Sequence, residues 1–415
     1  MFTVMIKLIK YSFAFVLIFL YLANIGFSFF PEKIKTTLVV SLLGVIYYII
    51  KFRLRDPYNI RKGIYYIIPL AVWMSLSILL NHSSQFWFMQ FVLLQIVYMF
   101  GAAFILDLAR IRDVNTIMWI IVGYVLVQNA VAFFGLQFPL ISNFIRDLEK
   151  EGLFISVEGQ LTYRAFGFGE HIFFVGGVWS AIALLIITFL YKRKQISLQW
   201  FSVVFFLIVV SGLFVARTTL SGCVALAMLI FPLRKNMLGI WKYLLAGMVL
   251  ITLLLFSQNY LLQYDYNTGY AYELINNLFE TGNIETSSSQ KTVNMWNILP
   301  NSFETWFIGD AKYVAEGGGY YMHTDVGYMR IVFYGGIVGL ILYLLFTYLL
   351  TRRIYRLNDK DYDVRLFLIF YWVMVLMWMW KGHYDTNYFL YILVVASYFG
   401  GNEGKIRYKH LSQRH

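Results

Sequence analysis

Apolar runs about as long as a membrane-spanning helix alternate with polar segments along almost the whole chain. A helix needs about 20 mainly apolar residues to cross the hydrocarbon core of a bilayer. The pattern predicts twelve spans, at about 11–30, 36–50, 64–80, 87–108, 115–136, 172–191, 199–216, 219–233, 240–257, 327–350, 366–380 and 386–400. We therefore predict an all-α fold, a polytopic bundle of about twelve transmembrane helices that forms one integral membrane domain over residues 1–415.

Two longer polar segments interrupt this alternation, at 137–170 and, between the ninth and tenth spans, at 258–325. Within the second segment, Tyr272–Phe279 and Thr292–Leu299 have the apolar spacing of short helices. Composition agrees with a membrane protein, because 60% of the residues are hydrophobic and only 13% are charged. Soluble domains carry about 25% charged residues.

The basic residues indicate which side of the membrane each loop occupies. Of the 34 Lys and Arg residues, 24 fall on the side of the two termini and 10 on the other side. Basic loops stay in the cytoplasm, so both termini are expected there, whereas 137–170 and 258–325 become external loops. The other side also carries 15 of the 22 acidic residues. The net charge of +12 is thus a topology signal and no indication of nucleic-acid binding.

The cytoplasmic loops are too short for a nucleotide-binding domain, and the chain has neither a phosphate-binding loop nor a dinucleotide fingerprint. No His, Cys or carboxylate pattern has the spacing of metal ligands, and Cys223 is the single cysteine. We predict neither a metal nor a cofactor. An enzyme of this design works outside, on a substrate that arrives already activated on a lipid.

The stretch 317–330 gathers ionisable groups at the start of the tenth span. It contains His323, Asp325 and Arg330 within eight positions. A histidine exchanges protons near neutral pH, and ionisable groups near the membrane usually face a cavity or a partner. Chemistry and a solvated helix cap remain two open interpretations of His323 and Asp325.

Two external arginines are candidates for binding phosphate. Arg217 lies in a tight turn beside Thr218 and Ser221, and Arg164 precedes Gly167 and the sixth span. A guanidinium is a planar fork of donors that fits phosphate oxygens. The alternative is an arginine that extends to lipid headgroups from a helix end.

Two other groups of charges lie on the predicted outer side. Glu170 and His171 either form an acid/base pair or cap the sixth span. Lys381, His383 and Asp385 are expected to form a solvated turn.

These stretches together resemble one family. They are Arg164 with its following glycines, the turn ARTTLSG around Arg217, and His323-Thr-Asp325-Val-Gly-Tyr followed closely by RIVFYGGIVGLILYLL. With about twelve spans and a late external loop, the chain resembles the Wzy-type O-antigen and capsule repeat-unit polymerases and the related O-antigen ligases. The ligase pattern favours His-Asn where this chain has His323-Thr-Asp325, which leaves the choice between polymerase and ligase open.

The resemblance implies glycosyl transfer at the outer face of the bacterial cytoplasmic membrane. The donor is an oligosaccharide on undecaprenyl diphosphate, and repeat units are joined into a surface polysaccharide. By this resemblance Arg217, Arg164 and Arg330 hold the diphosphate, and His323 or Asp325 is the catalytic base. A chain-length regulator and a flippase are the implied protein partners. A polysaccharide flippase, a peptidoglycan polymerase of the SEDS type and a non-catalytic scaffold remain as alternatives.

Overall fold

The computed structural model describes residues 2–31, 34–52, 60–111, 113–149, 165–230, 277, 287–316 and 318–400. Helices dominate these residues, and no strand forms among them beyond three isolated bridges. The helices are α1 (Phe2–Ala23), α2 (Thr36–Phe52), α3 (Ile60–Leu80), α4 (Trp87–Leu108), α5 (Val114–Gln137), α6 (Pro139–Leu148), α7 (Phe173–Lys192), α8 (Leu198–Val215), α9 (Ala227–Ile230), α10 (Ser287–Trp296), α11 (Phe303–Phe307), α12 (Gly327–Leu357), α13 (Tyr362–Lys381) and α14 (Asn387–Gly400).

Seven helices of the described part are long and apolar enough to cross a membrane: α3, α4, α5, α7, α8, α12 and α13. Apolar stretches in α1, α2, α14 and the segment Arg217–Leu229 are shorter. The chain is thus a multi-pass helical membrane protein. The predicted ninth span, 240–257, and the predicted helix Tyr272–Phe279, apart from Asn277, lie outside the described residues.

Several predicted boundaries were wrong for local reasons. The first span was predicted to reach residue 30, but α1 ends at Ala23 and the following Asn24 has φ of 51°. The predicted eighth span begins instead as a 3₁₀ helix, Arg217–Leu226, which continues into α9. At ten residues it is long for a 3₁₀ helix, which usually stops after three or four. The predicted external loop 137–170 contains α6, and the helix predicted at Thr292–Leu299 is found at Ser287–Trp296.

The helix starts follow from capping side chains. Asp113 accepts hydrogen bonds from two backbone N–H groups of α5, and Asp361 does the same for α13. Ser197 accepts one from α8. Such caps satisfy amide groups that have no partner within the helix.

Helix α7 lies at the centre of the bundle. Every residue from Gly176 to Leu190 is buried, as expected for a helix that is apolar on all sides. It packs against α8, α5, α13 and the 3₁₀ helix. The contact between α7 and the 3₁₀ helix is close because a glycine lies there: a Cβ on Gly222 would lie 2.7 Å from the Cα of Ala181.

The ion pairs agree with the alternation of sides that the sequence predicted. The structure has four among its described residues: Lys35–Glu170, Lys51–Asp107, Lys192–Asp363 and Arg193–Asp361. Each joins two residues that the charge pattern assigned to the same side. These ion pairs therefore form between helix ends that the charge pattern assigned to the same predicted side.

Helix α12 is not continuous, although the sequence predicted an unbroken span over 327–350. Its backbone breaks at Gly336, with φ of 67° and ψ of −175°, a conformation that is essentially restricted to glycine. Carbonyl groups freed by the break accept hydrogen bonds from other segments. The Phe333 carbonyl takes the N–H of Asp310 at 2.6 Å, and Trp73 Nε1 donates to the Gly335 carbonyl at 2.6 Å.

Candidate active site

A cavity of about 320 Å³ lies where the 3₁₀ helix begins and α13 ends, with α7 and α10 completing its wall. Its lining combines two cations (Arg217, Lys381), four hydroxyl groups (Thr218, Ser221, Ser289, Thr292) and large apolar side chains (Phe174, Val293, Met377, Trp378, Trp380). This size is at the lower end of ligand pockets, which are about 300–1,000 Å³. Paired cations with hydroxyl donors suit an anion such as a phosphate.

The turn into the 3₁₀ helix positions Arg217. Ala216 is extended, with φ of −162°, and Arg217 is the first residue of the 3₁₀ helix. Its side chain is only 8% exposed, so its surroundings are protein and cavity, unlike those of a side chain extended to headgroups. Ser221 Oγ donates to the Thr218 carbonyl at 2.7 Å and accepts from Trp378 Nε1 at 2.8 Å. These bonds tie the turn to α13.

Asp325 lies within electrostatic reach of Arg330 and of Lys381, and Lys381 lines the cavity. Desolvation raises the pKa of this half-buried carboxyl, and the two cations act in the opposite direction. Its backbone N–H contacts Met295 Sδ of α10 at 3.4 Å. A carboxyl with a raised pKa near two cations has the character of a proton acceptor.

His323 has a different environment from that of Asp325. It is exposed at the end of a short 3₁₀ turn, Tyr321–His323, with φ of 54°. Neither His323 nor Asp325 is among the residues that line the cavity. The two residues of the motif differ in burial, because His323 is exposed and Asp325 is half-buried.

Arg330 is buried in an aromatic sandwich. Its guanidinium carbon is 3.7 Å from the ring centre of Tyr320 and 4.5 Å from that of Tyr313, and Nη2 donates to the Tyr313 hydroxyl. It forms no ion pair with Asp325 in the described part of the chain. Arg330 acts on Asp325 through its charge and does not line the cavity.

Arg164 falls outside the described residues. Lys381 links the predicted site residues, because it lines the cavity with Arg217 and acts electrostatically on Asp325, as Arg330 also does. Lys381 was expected in a solvated turn, but it lines the cavity with Arg217. The signal available in the sequence was the run Trp378-Met-Trp380-Lys381, two indoles and a cation at the outer end of a span.

The turn after α13 is only partly solvated, because Asp385 is buried whereas Lys381 and His383 are partly exposed, so the expectation of a solvated turn was wrong for Asp385. Asp385 is 4% exposed, and its Oδ1 accepts from the N–H of Asn387 at 3.1 Å. Burial raises the pKa of Asp385 to about 7 and lowers the pKa of His383 to about 3. His383 also lies in the field of Arg330, which adds to the lowering.

Glu170 and His171 neither cap α7 nor form a pair. The N-cap of α7 is Ile172, without a side-chain cap. Glu170 pairs with Lys35 at 2.7 Å, whereas His171 Nε2 shares a hydrogen bond with Asn129 Oδ1 at 2.9 Å. Burial lowers the pKa of His171 to about 3. His171 is thus a neutral member of a polar network inside the bundle.

No three His, Cys, Asp or Glu side chains converge on a possible metal site within the described ranges. In comparisons with known proteins, no family model, no curated protein and no solved structure matches this chain.

Proposed function

We propose that the protein is a membrane glycosyltransferase that polymerises oligosaccharide repeat units carried on undecaprenyl diphosphate. The reaction takes place at the outer face of the bacterial cytoplasmic membrane and builds a surface polysaccharide. The observation that carries the proposal is the cavity shared by Arg217 and Lys381, with Asp325 within electrostatic reach of Lys381. A lipid diphosphate is an anion that such a site suits, and the multi-pass bundle gives its lipid a place to reside.

The proposed reaction uses Asp325 as the base and the two cations as the binding site for the diphosphate. Asp325 accepts the proton of the acceptor hydroxyl, whose oxygen forms a bond with the anomeric carbon of the donor. The bond between that carbon and the diphosphate oxygen breaks, and undecaprenyl diphosphate leaves. Arg217 and Lys381 stabilise the charge that grows on the departing diphosphate. Arg330 tunes Asp325 through its field, Arg164 is a further phosphate ligand, and His323 is the second candidate base.

The proposed topology has twelve spans, cytoplasmic termini and external loops at 137–170 and 258–325. Its support is the agreement between the predicted sides and the four ion pairs. A flippase delivers the lipid-linked units and a chain-length regulator controls the product. Both remain parts of the proposal that follow from the family resemblance.

The test is complementation of a deletion strain, with the surface glycan analysed on gels. Arg217→Ala and Asp325→Asn should leave single repeat units where the wild type restores a ladder. Arg352→Ala is the matched control, since Arg352 is exposed at the opposite end of α12. All variants are first compared for expression in the membrane.

The glycan that the deletion strain makes distinguishes a polymerase from a ligase and from a flippase. Full-length polymer that stays unattached in the deletion strain indicates a ligase, and the absence of surface units indicates a flippase. A normal ladder from well-expressed Arg217→Ala and Asp325→Asn refutes the proposed site. Comparison of His323→Ala with Asp325→Asn decides which residue is the base.

A further inference from the structure

Three aromatic side chains from three helices meet beside the cavity. The rings of Trp296 in α10 and Trp380 in α13 are stacked, with centroids 4.1 Å apart and planes 30° apart. The ring of Tyr328 in α12 lies 6.0 Å from that of Trp296. Because each helix contributes one ring, this aromatic cluster exists only in the folded arrangement.

Hydrogen bonds to backbone carbonyls hold two of these rings in place. Trp296 Nε1 donates to the carbonyl of Trp380 at 3.1 Å. The Tyr328 hydroxyl donates to the carbonyl of Leu376 at 2.9 Å. With its partner ring fixed, Trp380 presents a preorganised aromatic surface, which lowers the entropic cost of binding.

Trp380 connects this cluster to the cationic part of the site. Its side chain lines the same cavity as Arg217 and Lys381, and the residue is 53% exposed. In a glycan carried on a diphosphate, the first sugar is bonded directly to a phosphate oxygen. A phosphate held by the two cations therefore leaves that sugar beside Trp380, and the apolar C–H face of a pyranose ring packs well on an aromatic ring.

The surroundings of Trp380 and Trp296 differ from those of a tryptophan that only anchors a helix at the membrane surface. Trp200 at the start of α8 is 67% exposed and stacks on no other ring in the part of the chain described. Trp296, in contrast, belongs to α10, a polar helix that is too short to span a membrane. The cluster thus joins a span to a surface helix at the cavity.

We infer that Trp380, supported by Trp296, is the binding surface for the first sugar of the lipid-linked glycan. This inference rests on the proposed function, because it identifies a sugar subsite next to the proposed diphosphate site. The aromatic contact contributes to binding of the glycan, whereas the cations bind the diphosphate.

The experiment compares two probes on purified protein in lipid nanodiscs. One probe is the lipid-linked repeat unit extracted from the deletion strain, and the other is undecaprenyl diphosphate without sugar. Trp380→Leu should weaken binding of the first probe about five- to tenfold, the scale of one aromatic contact, and leave the second unchanged. Trp380→Phe keeps an aromatic face and should lose less, and Trp200→Leu is the matched control.

The outcomes distinguish the two proposals. Equal losses for both probes, or no loss with Trp380→Leu, overturn the sugar subsite and leave the proposed function standing. If the wild type binds neither probe, the proposed function fails and the subsite fails with it. Trp296→Leu, which removes the support of the ring, should reproduce a smaller form of the Trp380→Leu effect.

Discussion

Replacement of Gly336 by alanine should destabilise the protein strongly, because the break in α12 is built on this residue. Its φ of 67° with ψ of −175° costs a residue with a side chain about 1–3 kcal/mol. A Cβ at this position would also lie 2.7 Å from the N atom of Ile308, and closer still to the carbonyl of Phe307. Carbon atoms pack comfortably only beyond about 3.5 Å, so the backbone at Phe307 and Ile308 has to move.

That movement breaks hydrogen bonds that hold the segment before α12. Ile308 N–H donates to Glu304 at 2.7 Å, and Ser77 Oγ lies 2.9 Å from the Ile308 carbonyl. Each is worth about 0.5–1.5 kcal/mol. With the backbone strain, we expect Gly336→Ala to cost about 3–5 kcal/mol and to lower the melting midpoint of the 415-residue chain by about 3–6 °C.

The assay is thermal unfolding in one detergent, followed by tryptophan fluorescence, with two glycine controls. Gly318 has φ of 86° and open space around its Cβ position, so Gly318→Ala reports the conformational cost alone. Gly123 lies within α5 with its Cβ position 3.5 Å from Phe15, and Gly123→Ala should be neutral or slightly stabilising. A midpoint for Gly336→Ala equal to that of Gly318→Ala would refute the argument that the packing at Phe307 enforces the break.

Three further predictions use other residues. Ser77→Ala should cost about 1–2 kcal/mol of stability, because Ser77 Oγ lies 2.9 Å from the Ile308 carbonyl and 2.8 Å from the Tyr334 carbonyl, and it should lower the midpoint less than Gly336→Ala does. The pKa of His171 is about 3 in the fold, so between pH 3 and about 6.5 the unfolded chain binds a proton that the folded chain does not. Stability therefore falls as pH is lowered, by about 2 kcal/mol from pH 7 to pH 5 for this group, and His171→Gln should flatten the pH dependence of the midpoint. Lys381→Met should raise the pKa of Asp325, because the charge of Lys381 lowers it. The pH below which the polymerisation rate falls should therefore be higher in this variant than in the wild type. An unchanged pH would exclude Asp325 as the base.

The sequence predicted what depends on local apolar pattern and on charge. The runs that became α3, α4, α5, α7, α8 and α13 are long and apolar, so their existence followed from length alone. The distribution of charges assigned Lys35 and Glu170 to one predicted side and Arg193 and Asp361 to the other, and in the fold the members of each pair are in contact.

What the sequence missed depends on contacts between distant segments. The glycines before Ile337 resemble an ordinary helix interior, and only the approach of Phe307 makes Gly336 a break point. Asp385 resembles a loop acid, but other helices bury it. Asp325 and His323 are equivalent in a motif, whereas their burial differs because the turn between Tyr321 and Thr324 directs the chain.

The break in α12 has a consequence for depth in the membrane. From Ile337 to Leu357 the helix rises about 31 Å, close to the hydrocarbon thickness of about 30 Å, and α13 rises about the same. Because a short connection joins the two helices, Gly336 and Lys381 lie toward the same end of the pair. A straight helix would carry Gly327 about 13 Å beyond Gly336.

Instead, Gly327 returns to the end of α13. A Cβ on Gly327 would lie 2.8 Å from the carbonyl carbon of Gly382, and Tyr328 donates to the carbonyl of Leu376. The first nine residues of α12 thus fold back to the end of α13 and hold the neighbouring Asp325 within electrostatic reach of Lys381. In the proposed reaction, a diphosphate bound at Lys381 would therefore lie on the side of the bundle where Asp325 is placed.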